Sequence, residues 1–336
     1  MKIIPLFSCF VILGFFASPA CHGQIRIFHR PYDFTLTPRA GVFYGTLYEI
    51  VYKDATTKNY LSELRWEQKP LWYLGFDVFL GPRDPLQTWG FFLGSSFKAA
   101  IPMGTGLVED RDWLSPLNPP SAAGSLTHFS QHDNNTLGAF FVTFNTGFSV
   151  PLWKIFFLQL PISFGYQFIK MEARDGYTQY GNNLSESGPY DSWNPSWPKD
   201  SFSGAGIRYS QHWFTLSPGL VLGMNLTRFT LSVSCKLSPF VASISIDDHL
   251  VRKIVFTDVM AGGLYLEPAL SASFIFNSRL RAGAAFSYCF IRGTRGDEFI
   301  DYYGSINAGK TDGVASDCAG AGMELFEGSV FFSIRL

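Results

Sequence analysis

Two pairs of ionisable residues, each separated by one position, stand out in the 336-residue sequence. The first pair is Asp110 and Asp112. Residues two apart on a β-strand share one face, because successive side chains point to opposite sides. Two carboxylates on one face repel each other and raise the pKa of one of them, which suits acid–base catalysis. An ordinary acidic edge of a loop is the alternative explanation for this pair.

The second pair is Asp247 and His249. On one strand face, the carboxylate could orient the imidazole and stabilise its charged form. Polar residues take the odd positions from 243 to 249, whereas apolar residues take the odd positions from 229 to 237. This change predicts a one-residue slip near Pro239, a β-bulge that turns the pair inward. On spacing alone, a solvated histidine in a loop explains the pair equally well.

Strands must position these pairs, and the dominant pattern in the chain is alternation with a period of two. It runs through residues 140–150, 158–168, 214–224 and, at the C-terminus, 326–336. One face is apolar, and the other is rich in Gly, Ser, Thr and Gln. An apolar outer face with a polar lumen is typical of transmembrane β-barrels. On the strand that leads to Asp110, we expect an inward series of Gly94, Ser96, Lys98, Ala100, Gly104 and Gly106.

The connections between the predicted strands alternate in length. Four turns are expected at residues 151–154, 225–228, 276–279 and, less tightly, 69–84. Five longer polar loops are expected near residues 53–59, 103–133, 174–204, 248–253 and 293–320. The sequence therefore predicts an all-β fold, a ten-stranded antiparallel transmembrane β-barrel with long extracellular loops.

The composition agrees with this fold class and excludes others. Aromatic residues make up 17% of the chain and charged residues 16%, against a usual charged share of about 25%. The net charge of −1 argues against a nucleic-acid partner. The apolar content excludes a disordered chain. Beyond residue 23, no apolar run reaches the roughly 18 residues that a membrane-spanning helix needs.

The N-terminus predicts a secretory signal peptide over residues 1–23, with cleavage after Ala20 or Gly23. Residues 24–336 would then form a single barrel domain. Lipid attachment at Cys21 is an alternative for the mature N-terminus. The later cysteines, Cys235, Cys289 and Cys318, have spacings that indicate neither a disulfide framework nor a zinc site.

From about Phe34 to the C-terminus the chain resembles the omptin family, ten-stranded outer-membrane endopeptidases of the aspartate–histidine type. Six segments carry the resemblance, and their order and spacing make the set more specific than any one of them. They are residues 45–52, Ser62-Glu63-Leu64-Arg65-Trp66, Asp110-Arg111-Asp112-Trp113, Leu126-Thr127 with Ser130-Gln131-His132, Gly165-Tyr166-Gln167, and Asp247-Asp248-His249.

The resemblance implies roles for both pairs at the outer rim of the barrel. His249 would take a proton from a water molecule, and Asp247 would orient His249. Asp110 and Asp112 would hold that water and stabilise or protonate the tetrahedral species. Ser130 and His132 would support the site without an acyl-enzyme. No metal or other cofactor is implied, and a monomer in the bacterial outer membrane is expected.

Substrate preference is where the chain departs from the family. Family members prefer basic residues around the cut, and Glu49 matches one of their acidic pocket residues. Ser245 and His128 stand where acidic residues are found in the family. We therefore expect retained but less strict cleavage after Arg or Lys, and no selection for a base beyond the cut.

The resemblance also implies that lipopolysaccharide, or another outer-membrane lipid, is needed for activity. The basic candidates for binding it are Lys170, Arg174, Arg208 and Lys236, of which Lys236 is expected to point inward. Peptides or protein loops at the cell surface are the expected substrates. Two other functions stay open at this point. One is an inactive barrel that acts as an adhesin or small porin, and the other is a soluble lipid-binding barrel with its apolar faces inside.

Overall fold

The computed structural model describes residues 25–27, 30–56, 59–114, 125–181 and 190–336. The predicted signal peptide, with both cleavage points and Cys21, lies outside the described residues. The secondary structure consists of fifteen β-strands and one short 3-10 helix, Ser305–Asn307, within those ranges. No helix in this part of the chain is long and apolar enough to cross a membrane.

The strands follow one another in long antiparallel runs. They are β1 (Ile25–Ile27), β2 (Arg30–Tyr52), β3 (Tyr60–Pro82), β4 (Gly90–Ala100), β5 (Met103–Asp112), β6 (His128–Trp153), β7 (Phe156–Tyr180), β8 (Asp200–Asn225), β9 (Phe229–Ser238), β10 (Val241–His249), β11 (Ile254–Gly262), β12 (Leu264–Ile275), β13 (Leu280–Arg292), β14 (Arg295–Tyr302) and β15 (Gly313–Arg335).

Brief irregularities divide four of the barrel strands into two segments each. β4 continues into β5, β9 into β10, β11 into β12, and β13 into β14. Counted this way, ten antiparallel strands pair in sequence, and β15 pairs with β2 to close the ring. The prediction of an all-β, ten-stranded antiparallel barrel is confirmed. Closure leaves no free edge between the first and last barrel strands.

The outward faces are apolar in the half of the barrel near the short turns. Large apolar side chains are exposed there on strands all around the ring, among them Trp72, Leu74, Phe91, Leu93, Phe144, Leu160, Ile162, Leu216, Leu220, Val233, Leu270, Phe286, Phe326 and Val330. Such a belt is suited to lipid. It contradicts the soluble alternative, which needed these faces to be inside. The opposite half of the barrel extends beyond the belt and contains the two ionisable pairs, on β5 and β10.

The strand ends differ from the expected connections in several places. β3 continues without a break through most of the turn expected at residues 69–84, and the connection lies at residues 83–89. The loops expected at 103–133, 174–204 and 293–320 are shorter, because the flanking strands continue into them. The connection between β10 and β11 is a four-residue turn, 250–253, rather than a long loop. The strands are longer than expected because each continues to form backbone hydrogen bonds with its neighbour. The pattern of polar and apolar residues does not show where this pairing ends.

Packed side chains cross the lumen between the belt and the rim. Trp66 on β3 stacks on Tyr209 of β8 with ring centroids 5.3 Å apart, and both side chains are fully buried. Gln211 on β8 donates a hydrogen bond of 2.9 Å to the backbone oxygen of Tyr48 on β2. These contacts join strands that are not neighbours in the ring. They provide a rigid floor beneath the rim.

Candidate active site

The inward turn of the Asp247 pair depends on a register slip at Pro239. Gly219 of β8 pairs with Lys236, whereas Thr215 pairs with Val241, so the later strand contains one extra residue between these pairs. Beyond the slip, Ser245 and Asp247 are buried, while Ile244 and Ile246 are exposed. The predicted β-bulge and the inward direction of this segment are confirmed.

Asp110 reaches the same interior by a different route from the one expected. Ala100 and Met103 both pack against the core, so the inward face changes from even to odd positions between them. Thr105 is then fully buried. A second slip, between Gly104 and Gly106, restores the even positions from Val108 onward. The expected inward series is therefore wrong at Gly104 and Gly106, and Asp110 shares a face with Ala100 only because two slips cancel.

His249 and Asp247 form a direct contact. His249 Nε2 lies 2.6 Å from Asp247 Oδ2, and Asp247 is buried. A carboxylate only accepts hydrogen bonds, so the imidazole hydrogen lies on Nε2 when the ring is neutral. The lone pair then lies on Nδ1, which faces Arg252 Nη1 at 3.5 Å. The ring is held from one side by Phe256, in an edge contact of 5.3 Å between centroids. This arrangement leaves Nδ1 to accept a proton.

The two ionisable pairs affect each other across the mouth of the barrel. Burial is the largest cause that raises the pKa of Asp110 well above its ordinary value, followed by the charges of Asp112 and Asp247. Burial also raises the pKa of Asp112, against the opposing charges of Arg252 and His249. A carboxyl group of raised pKa retains its proton at higher pH and can act as an acid. The pairs therefore combine a base on one side with an acid on the other.

Ser130 and His132 lie on β6 beside Asp110. Ser130 pairs in register with Asp110, and its hydroxyl lies 3.0 Å from His132 Nε2. His132 Nδ1 donates to the backbone oxygen of Asp175 at 2.6 Å, so Nε2 of the neutral ring accepts from Ser130. Burial raises the pKa of Tyr180 to about 12, and its hydroxyl interacts with Ser130. Tyr180 therefore retains a proton that it can donate in a hydrogen bond.

Glu49 and Ser245 lie near Asp247 on the inner wall, and both are buried. Burial raises the pKa of Glu49 well above its ordinary value, with further contributions from Asp247 and Asp258. The Oε2 atom of Glu49 has no hydrogen-bond partner among the described residues. Ser245 donates a 2.8 Å hydrogen bond to Asp258 Oδ2 on β11. An acidic side chain thus lies beside the serine.

His128 is buried among aromatic rings on the other side of the mouth. Its ring centroid is 4.7 Å from those of Tyr180 and Tyr190. Its Nδ1 atom lies 3.0 Å from the hydroxyl of Thr127, and burial lowers the pKa of His128. His128 is therefore part of a neutral aromatic wall, at a position where the resemblance implies an acidic residue.

Sequence reasoning missed Arg252, Tyr180 and Asp258. A signal existed for Asp258, because it is the one charged residue in the mostly apolar segment from Ile254 to Met260. Its pairing with Ser245 follows once the turn is confined to residues 250–253. Arg252 and Tyr180 carry no such signal, since their positions depend on how the rim closes.

The basic residues proposed for lipid binding divide into two groups. Lys170, Arg174 and Arg208 are exposed on β7 and β8, and the two arginines form ion pairs with Asp175 and Glu172. Lys236 forms an ion pair of 2.7 Å with Glu267 and lines an internal cavity, as expected. Within the described ranges, no three His, Cys, Asp or Glu side chains are arranged to hold a metal ion.

Comparisons with known proteins give a family and a fold. A model of the omptin family matches residues 30–333. The crystal structure of the outer membrane protease OmpT from Escherichia coli is similar with a TM-score of 0.76 and 19% identity, over 90% of this chain and 97% of that chain. The transport unit of the autotransporter AIDA-I from Escherichia coli has a TM-score of 0.35 and 11% identity, over 92% of each chain. A search of curated protein sequences finds no significant match.

Proposed function

The chain belongs to the omptin family of outer-membrane proteases, and from this premise we propose that it is a cell-surface endopeptidase whose water nucleophile is activated by Asp247 and His249. The observation that carries the proposal is the 2.6 Å contact between Asp247 Oδ2 and His249 Nε2, on the face that looks toward Asp110. The protein lies in the bacterial outer membrane, and its rim extends beyond the apolar belt.

In the proposed reaction, His249 Nδ1 removes a proton from water as the water oxygen attacks the peptide carbonyl carbon. Asp247 stabilises the imidazolium that forms. Asp110 and Asp112 hold the water, and the one that retains a proton stabilises or protonates the tetrahedral species. When the carbon–nitrogen bond breaks, the amine leaves with a proton and the carbonyl carbon becomes a carboxylate. No covalent enzyme intermediate is needed, so Ser130 supports the site rather than attacking.

We further propose that the residue before the cut is basic and that the residue after it is not selected for charge. Glu49 supports the first part, because a buried carboxyl group beside Asp247 favours a cationic side chain. His128 supports the second part, because its neutral ring lies against Tyr180 and Tyr190 and carries no negative charge.

Activity is proposed to depend on an outer-membrane lipid such as lipopolysaccharide. Lys170, Arg174 and Arg208 lie together on the outer surfaces of β7 and β8, where a lipid phosphate could reach them. We propose that the active form is a monomer, since the site lies within one barrel. The small-porin alternative is disfavoured, because stacked rings of Trp66 and Tyr209 lie across the lumen.

The test is cleavage of a fluorogenic arginine peptide by refolded protein, with and without lipopolysaccharide. Asp247→Ala and His249→Ala are assayed beside the wild type. We expect the wild type to cut and both variants to lose most of their activity. A wild type that is inactive under both conditions, or variants that cut equally well, would contradict the enzymatic function.

A further inference from the structure

A serine and an aspartate face each other directly on β10 and β11. Ser245 pairs in register with Asp258, and the Ser245 hydroxyl donates to Asp258 Oδ2 at 2.8 Å. Ser245 has an exposed fraction of 0% and Asp258 of 5%, so the contact is inside the barrel. Ser245 therefore holds the Asp258 carboxylate close to the place that an acidic side chain at position 245 would occupy.

The surroundings of Asp258 are rich in buried carboxyl groups. Glu298 pairs with Asp258 from β14, Asp247 lies two residues from Ser245 on β10, and Glu49 approaches from β2. All four acidic side chains are buried. Within the described structure, Glu49 Oε2 and Asp247 Oδ1 are buried oxygens without a hydrogen-bond donor. Buried carboxyl groups of this kind favour a cationic partner.

We propose that Asp258 is a specificity-determining residue which, together with Glu49, binds the cationic side chain of a substrate lysine or arginine. This inference rests on the proposed endopeptidase function and identifies the group that selects its substrate. It also changes the expectation from the sequence, in which Ser245 marked a lost carboxylate. The carboxylate is retained on the neighbouring strand, so selection for a basic residue is not relaxed.

The geometry favours a long cationic side chain over a small cation. Tyr209 lies near these carboxyl groups, since it is fully buried and its pKa is raised mainly by burial and then by Glu49 and Asp258. Tyr209 stacks on Trp66, so aromatic surface lies beneath the carboxyl groups. The aliphatic part of lysine or arginine can pack on such a surface while its charged end reaches the acids.

The experiment compares two peptides that differ only in charge, one with arginine and one with citrulline before the cut. Wild type, Asp258→Asn and the exchange variant Ser245→Asp/Asp258→Ser are refolded and assayed for kcat/KM. Asp301→Asn is the matched control, because Asp301 is an exposed aspartate on the adjacent strand β14.

We expect Asp258→Asn to lower the arginine-to-citrulline ratio of kcat/KM at least about tenfold, mainly through KM for the arginine peptide. The exchange variant should restore the ratio to within about threefold of wild type, since it returns a carboxylate to the same pair. Asp301→Asn should leave the ratio unchanged.

Distinct outcomes separate failure of the inference from failure of the proposed function. An unchanged ratio in Asp258→Asn, with citrulline cleavage intact, overturns the role of Asp258 and leaves the endopeptidase in place. A wild type that cleaves neither peptide overturns the proposed function and the inference with it. If Asp258→Asn does not refold, the exchange variant provides the test. Loss of arginine preference in that variant would mean that a carboxylate at position 245 cannot replace the one at position 258, and it would overturn the inference.

Discussion

His249 presents its Nε2 atom to Asp247 Oδ2 at 2.6 Å, and its Nδ1 atom faces Arg252 Nη1 at 3.5 Å. The two residues lie on one face of β10 with Asp248 between them, which points the other way and accepts a hydrogen bond from Tyr303. Because successive side chains of a strand point to opposite sides, Asp247 is buried and Asp248 faces outward although they are adjacent in the chain. The difference in their environments allows the role of Asp247 to be tested against a neighbour of identical chemistry.

Asp247→Asn is expected to lower kcat by about 10²- to 10⁴-fold, because an amide can donate to Nε2 and no longer stabilises the imidazolium. Asp248→Asn keeps the backbone and removes only the outer carboxylate, so its kcat should stay within about threefold of wild type. Steady-state assays of both variants on one arginine peptide measure the difference. Equal losses of kcat in the two variants would mean that the substitutions act by disturbing the turn, and not through the contact between Asp247 and the His249 imidazole.

Ser130→Ala is expected to reduce kcat by no more than about tenfold, because it removes a hydroxyl that contacts His132 and Tyr180 but does not remove a nucleophile. His132 loses the donor to its Nε2 atom, but its Nδ1 contact with Asp175 remains. Rapid-mixing assays should show no burst of released amine in the wild type. A burst, or a complete loss of activity in Ser130→Ala, would support a serine nucleophile instead.

Asp258 should make the stability of the barrel depend on pH. Burial, with smaller contributions from the carboxyl groups of Glu298 and Asp247, raises the pKa of Asp258 to about 7 against the Ser245 hydrogen bond. The folded protein therefore binds a proton that the unfolded chain releases at lower pH, so stability falls as the pH rises from about 4 to 7. Asp258→Asn removes this dependence.

Relative to wild type, Asp258→Asn should gain up to about 4 kcal/mol above pH 7 and almost nothing near pH 4. Thermal unfolding in detergent across this range measures the gain. Glu49, Asp247 and Glu298 face the same region and are present in both proteins, so the difference curve reports the effect of removing the Asp258 carboxyl group. A gain that is the same at both ends of the range would contradict the raised pKa.

Trp66→Ala is expected to destabilise the barrel by about 3–5 kcal/mol, because it removes a fully buried ring that stacks on Tyr209. Trp72→Ala on the same strand is the control, since 51% of the Trp72 surface is exposed on the outer belt. Denaturant unfolding of the refolded proteins should show a much smaller loss for the control. Similar losses would mean that the lumen is not packed as described.

Local alternation was enough to predict most of the barrel. Residues 140–150 and 214–224 have faces of such different polarity that lipid and lumen are distinguished within each strand. The slip at Pro239 was also readable, because the polar and apolar positions exchange there. Strand ends were less predictable, since pairing with neighbours extended the strands into polar segments such as 174–180.

By itself, the sequence determined the fold class, the strand number and the two ionisable pairs, because these depend on residue types and on a period within one strand. Tertiary structure decided that the two ionisable pairs meet at the mouth of the barrel, because strands distant in the chain come together only after the ring closes. It also decided that two slips return Asp110 to the lumen and that Asp258 stands beside Ser245. A one-residue change of register exchanges the faces of a strand, so these positions depend on pairing across the whole ring.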